Sequence, residues 1–171
     1  NINGSITNAY IASNQGFFVL ATAAANNQSF TFSNTIQVHG GSYMKNHDSE
    51  EKLILRLSDG KYYDETHIRL SKQSTFNRDR EDAYKLFSYD EEIPQLFSLS
   101  SDNINLAVNS IPEIATDKNI PLGLNIPKSG VYTISTTEVN GSLSTNGIYL
   151  EDLLLDSWNK ISESDYSFTT Q

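Results

Sequence analysis

Acids dominate the ionisable side chains of this sequence: 21 Asp and Glu stand against 12 Lys and Arg, with three His and no Cys. Two carboxylates can hydrolyse a glycosidic bond when they face each other across a cleft, roughly 5–10 Å apart. Glu151 and Asp152 are adjacent, and neighbouring strand residues point to opposite faces, so they cannot form such a pair alone. Asn77-Arg78-Asp79-Arg80-Glu81-Asp82 places oxygen ligands at alternate positions, as a calcium loop begins. Two arginines, the missing turn glycine and Ser88 in place of the closing Glu oppose that reading. His39, His47 and His67 lack the i, i+4 helical spacing of a zinc enzyme. There is no Gly-x-Ser-x-Gly elbow and no glycine-rich phosphate loop. The expectation is no catalytic residue, no metal and no cofactor.

Rings are the other candidates for ligand contact. Tyr43, Tyr62, Tyr63 and Trp158 are placed where they could stack on a sugar or anchor a protein, Trp158 within the polar connection Asp156-Ser157-Trp158-Asn159-Lys160. Asp64 is of another kind. It falls on the apolar side of an alternating segment, where an unpaired carboxylate would cost several kcal/mol. A structural carboxylate paired with Arg78 or Arg80 is expected, unless a bulge turns it outward.

These groups are positioned by a hairpin. Leu53, Leu55 and Leu57 alternate with Ile54 and Arg56, the period of a strand with one buried face. Asp59-Gly60 can supply a tight type I′ turn in which Ser58 pairs with Lys61 and Leu57 faces Tyr62. Ile68 and Leu70 would continue the apolar face. Ile54, Arg56, Tyr63, Glu65, His67 and Arg69 fall on the wetter one.

Further strand patterns recur at 16–21, 29–32, 36–38, 96–99, 104–108, 120–124, 130–135, 147–153 and 164–169. Turn signals separate them about every 8–12 residues, the spacing of an antiparallel sandwich. One short helix is predicted near residues 79–87. Asp79 or Asn77 would cap it, acids fill its first turn, and Ala83, Leu86 and Phe87 share a face. The expected fold is all-β, an antiparallel β-sandwich of jelly-roll type with that helix. Residues 1–14 read as a lead-in and 15–171 as one domain.

Composition narrows the partners. The formal charge of −9 and pI near 4.7 disfavour nucleic acid and anionic membranes. No run approaches the ~20 apolar residues of a membrane span, so no membrane insertion is expected. Without cysteine, disulfides, thiolate zinc sites and thiol catalysis are excluded. The chain begins with Asn and reads as a segment of something longer.

Gln15-Gly16-Phe17-Phe18-Val19, Phe30-Thr31-Phe32 and Arg56-Leu57-Ser58-Asp59-Gly60 together resemble a module of large secreted and surface proteins of Bacteroidetes. So do Asp82-Ala83-Tyr84-Lys85-Leu86, Ile120-Pro121-Leu122-Gly123, Tyr149-Leu150-Glu151-Asp152 and Tyr166-Ser167-Phe168-Thr169, in the same order from about Gln15 onward. Such a module usually precedes a C-terminal type IX secretion sorting tail. The resemblance implies an exported β-sandwich, extracellular or on the cell surface, and no reaction. Its partners would be neighbouring domains of the parent protein, with a glycan or surface protein as alternatives and a hydrolase as the remaining rival. No sorting tail follows Gln171, so export is implied for the parent protein and not for this segment.

Overall fold

The structure, a computed structural model, describes residues 29, 31, 51–113, 117–145 and 147–171. The chain divides into two units, Asn1–His47 and Asp48–Gln171, and the second is described below. The lead-in, the segments at 16–21 and 36–38, most of 29–32, and Tyr43, His39 and His47 lie outside the described residues.

The second unit is all-β. Its strands are β1 (Lys52–Ser58), β2 (Tyr63–Leu70), β3 (Ala83–Tyr84), β4 (Gln95–Leu99), β5 (Asn105–Ile111), β6 (Leu122–Asn125), β7 (Gly130–Val139), β8 (Tyr149–Asp152), β9 (Ser157–Lys160) and β10 (Tyr166–Thr170). One curled sheet runs β10-β7-β1-β2-β5-β4-β6, with β3 on the other edge of β5, while β8 and β9 form a separate ribbon.

β1 lies centrally, between β2 and β7. Its alternation therefore works as the leucines predict: Leu53, Leu55 and Leu57 are buried and meet Ile68, Leu96, Tyr132 and Ile134 in the core. An irregularity keeps β7 in phase with it. Leu55 pairs with Thr136 but Ile54 with Glu138, so Thr137 is the extra residue of a bulge. Val139 thereby returns to the core side opposite Leu53. Glu138 is left outside, where it meets Lys52 at 3.1 Å.

The β1–β2 turn is longer than the expected type I′ turn. Ser58 pairs with Tyr63 and Leu57 with Asp64, so the connection runs from Asp59 to Tyr62. Asp59 decides this: its Oδ1 accepts from the Lys61 and Tyr62 amides at 2.8 and 2.6 Å, and Gly60 takes φ +87°. The pairing slips by two residues, an even step, so every side chain keeps its predicted face.

Pairing is not antiparallel throughout. β2 and β5 are parallel, His67 opposite Val108 and Leu70 opposite Ile111. β5 pairs with β4 through Asn105 and Leu106, and then with β2 from Val108 on. That exchange of neighbours along one strand edge curls the sheet and lays β4 against β2. Buried Thr66 marks the place, its hydroxyl directed to the Leu106 carbonyl at 3.3 Å and to Ser98 Oγ at 3.4 Å. On the far side of β4, Phe97 lies opposite Gly123 and its ring covers the glycine. A Cβ there would stand 2.1 Å from the ring.

The helix near 79–87 is corrected. Residues 79–82 form a turn and Ala83–Tyr84 a short strand on β5. The acids expected to cap a helix hold this turn: Asp79 accepts from the Thr75 and Glu81 amides at 2.8 and 2.9 Å. Asp82 accepts from the Asp79 amide at 2.8 Å and reaches across to the Ser110 amide at 2.6 Å. Two turns of helix cannot stand without a buried face, and Ala83, Leu86 and Phe87 are exposed here. Among the described residues the helical structure is a 3-10 turn at Gly141–Ser144.

Candidate functional site

Asp64 is on the core side, as its parity requires, with its side chain 22 % exposed, but the expected partner is corrected. Its carboxylate receives Lys85 Nζ and, at 2.7 Å, the Leu96 amide. Lys85 comes from the segment following β3, and its side chain is only 4 % exposed. Asp64 thus ties three stretches together: β2, β4 and the stretch held to β5 by the Lys85 amide and the Asn105 carbonyl, 2.9 Å apart. Arg78 is engaged elsewhere, its guanidinium 4.6 Å from the Tyr84 ring centre, and Arg80 lies 3.5 Å from Glu81. Lysine wins over arginine because Lys85 is carried inward beside β5, whereas the arginines sit on the 75–82 turn.

Asp82 is a second tethering carboxylate. Burial pushes its pKa above the ordinary carboxylate value, partly offset by the Asp79 and Ser110 amides. His67, opposite Ile54 on the outer face of β2, is pushed below the ordinary histidine value, chiefly by burial.

The predicted rings do not assemble into one platform. Tyr62 ends the β1–β2 turn and Tyr63 opens β2 opposite Ser58. Lys61 Nζ sits 4.3 Å from the Tyr62 ring centre and the Arg56 guanidinium 4.2 Å from that of Tyr63. Arg56 is itself bound to Glu65 at 2.8 and 3.0 Å. Trp158 is on β9, directly opposite Glu151. The expectation that Ser157–Lys160 is a connection is therefore corrected: it is a strand. Ser-Trp-Asn-Lys carries no apolar alternation, and pairing with β8 alone makes it one.

The β8–β9 ribbon is the most unusual surface. Leu150 packs toward the core. Tyr149, Glu151, Trp158 and Lys160 share the opposite face by register. At the tip Leu153, Leu154 and Leu155 are 83, 92 and 67 % exposed, and Trp158 is 57 % exposed. The tip is held by Asp152, whose Oδ1 accepts from the Leu154 and Leu155 amides at 2.8 and 3.0 Å and whose Oδ2 accepts from Tyr166 Oη. The Tyr166 hydroxyl, aided by those amides, holds the Asp152 carboxyl below its ordinary value, and the carboxylate in turn raises Tyr166. The leucines were not singled out from the sequence, though three in succession signal exposure: in a strand, alternation must turn at least one outward.

Glu151 and Asp152 point to opposite faces, as adjacent strand residues do. Among the described residues no three His, Cys, Asp or Glu are grouped to hold a metal ion. A shallow groove of about 280 Å³ between residues 136–139 and 161–165 is lined by Glu138, Glu163 and Asp165. Glu138 is bound to Lys52 and Glu163 to Lys160.

A family model described as Domain of unknown function (DUF8693) matches residues 1–171. The chain belongs to this family. No curated protein and no solved structure matches it. In this DUF8693 chain Asp64, Lys85 and Asp82 each connect segments distant in sequence.

Proposed function

We propose that this domain is a non-catalytic accessory module of an exported or surface-anchored bacterial protein, one that spaces, displays or stabilises neighbouring domains. The observation that carries the reading is the use made of buried charge. Buried Lys85 and half-buried Asp64 and Asp82 are engaged in contacts that tie distant segments together, and a carboxylate spent on scaffold bonds is a poor acid or base for a substrate. The address outside the cell rests on the resemblance to secreted Bacteroidetes modules, whose motifs recur here in order. The test is to compare the unfolding of the natural neighbouring domain with and without this module attached. Its midpoint should rise by a few degrees when the module is present; identical midpoints would overturn the scaffold role. Turnover of a glycoside or polysaccharide by the purified chain would overturn the non-catalytic part.

A second reading is favoured by one feature. The exposed leucines and Trp158 of the β8–β9 ribbon support a contact surface that takes a protein or glycan, since clustered exposed apolar side chains mark interaction sites.

A further inference from the structure

We propose that the outer face of the β8–β9 ribbon docks a second copy of this chain through a two-fold contact. The inference deepens the reading of that ribbon as a contact surface by naming its occupant.

Three features lead to it. The first is area. Leu153, Leu154, Leu155, Trp158 and Tyr149, each more than half exposed, together present on the order of 600 Å², against about 800 Å² per partner in a stable interface. The second is the pattern of the face. Tyr149 stands opposite Lys160 and Glu151 opposite Trp158, so the rings occupy one diagonal of a rectangle and the charges the other. A two-fold axis along the ring diagonal sets Tyr149 against Tyr149 and Trp158 against Trp158. It also sets each Glu151 against Lys160 of the second copy, the self-complementarity an isologous interface requires.

The third is charge. The chain carries −9 overall, but the paired strand positions of this face hold one acid and one base, and the exposed tip adds only Asp156. Asp152 is on the other face, occupied by Tyr166. Among the described residues Lys160 pairs with exposed Glu163 at 2.6 Å, a surface pair easily exchanged. Charges elsewhere on the molecule are screened over a Debye length of about 8 Å at physiological salt. An anionic bilayer or a polyanion has no such match on this face.

The test is sedimentation of the whole chain across micromolar concentrations. Wild type should show a reversible monomer–dimer equilibrium. Leu154→Asp should weaken it at least tenfold, and Glu151→Lys or Lys160→Glu should each weaken it. The doubly swapped Glu151→Lys/Lys160→Glu chain should recover the wild-type Kd. Of the three positions Leu154 is exposed and Glu151 and Lys160 are half-buried, and far-UV circular dichroism checks that each variant folds. A chain that stays monomeric overturns the proposal, as does a dimer indifferent to Leu154→Asp. A dimer that the double swap does not restore overturns the two-fold register. Flotation of monomeric wild type with phosphatidylcholine vesicles overturns it in favour of a lipid surface. None of these failures touches the scaffold reading, which rests on the buried ties of Asp64, Lys85 and Asp82.

Discussion

Lys85 carries a charge into the interior, and Asp64 is the group that makes this tolerable. Removing one member of a buried pair leaves the other uncompensated, at a cost of several kcal/mol. Lys85→Met should therefore destabilise by about 2–4 kcal/mol, because Asp64 keeps only the Leu96 amide. Replacing both, as Asp64→Leu with Lys85→Met, should cost less than the two single changes added together, since neither charge is then stranded. Urea unfolding of the four chains measures this; a loss below ~0.5 kcal/mol for Lys85→Met would show that water reaches the pair. Asp152 gives a pH-dependent counterpart. Its folded pKa is depressed, chiefly by Tyr166, so the stability it contributes is present above the ordinary Asp value and lost as pH falls through the lowered folded one. Tyr166→Phe should raise the Asp152 titration toward 3.8, the ordinary value, and move the acid-unfolding midpoint upward. An unchanged carboxyl titration by NMR would contradict the role given to the hydroxyl.

At the scale of elements, β1 is the strand on which the core is assembled, and Leu55 is buried within it. Leu55→Ala should cost ~2–5 kcal/mol, the range for a buried leucine that leaves a cavity. Chemical denaturation measures it, and a change below ~0.5 kcal/mol would mean the strand faces the wrong way. The β1–β2 pair was legible in faces but not in offset. A period of two fixes parity alone, and the choice between offsets of zero and two fell to Asp59, whose side chain gathers two amides into a longer turn. Residues 79–87 show the reverse. Their acids, Lys85 and the i, i+3, i+4 spacing satisfy every local rule for a helix, yet Asp82 is drawn to the Ser110 amide and Lys85 to Asp64. Both partners are remote in sequence, so no local rule could weigh them. β9 was missed for the same reason, since its only support is its pairing with β8.

Across the whole molecule, the order of strands is set by contacts between distant segments. β7 reaches back to β1 and β10 to β7, and β5 leaves β4 to run parallel to β2. The sequence by itself determined that the described unit would be β-rich, which side of β1 and β2 would be apolar, and that Asp64 needed a partner inside. Those follow from alternation and from the cost of burying charge, both of which act over a few residues. Only the tertiary structure decided that the partner is Lys85, that the sheet is mixed and curled, and that Leu153, Leu154, Leu155 and Trp158 remain in water. Such outcomes depend on which distant backbone edges and charges meet, and sequence spacing carries no record of that distance.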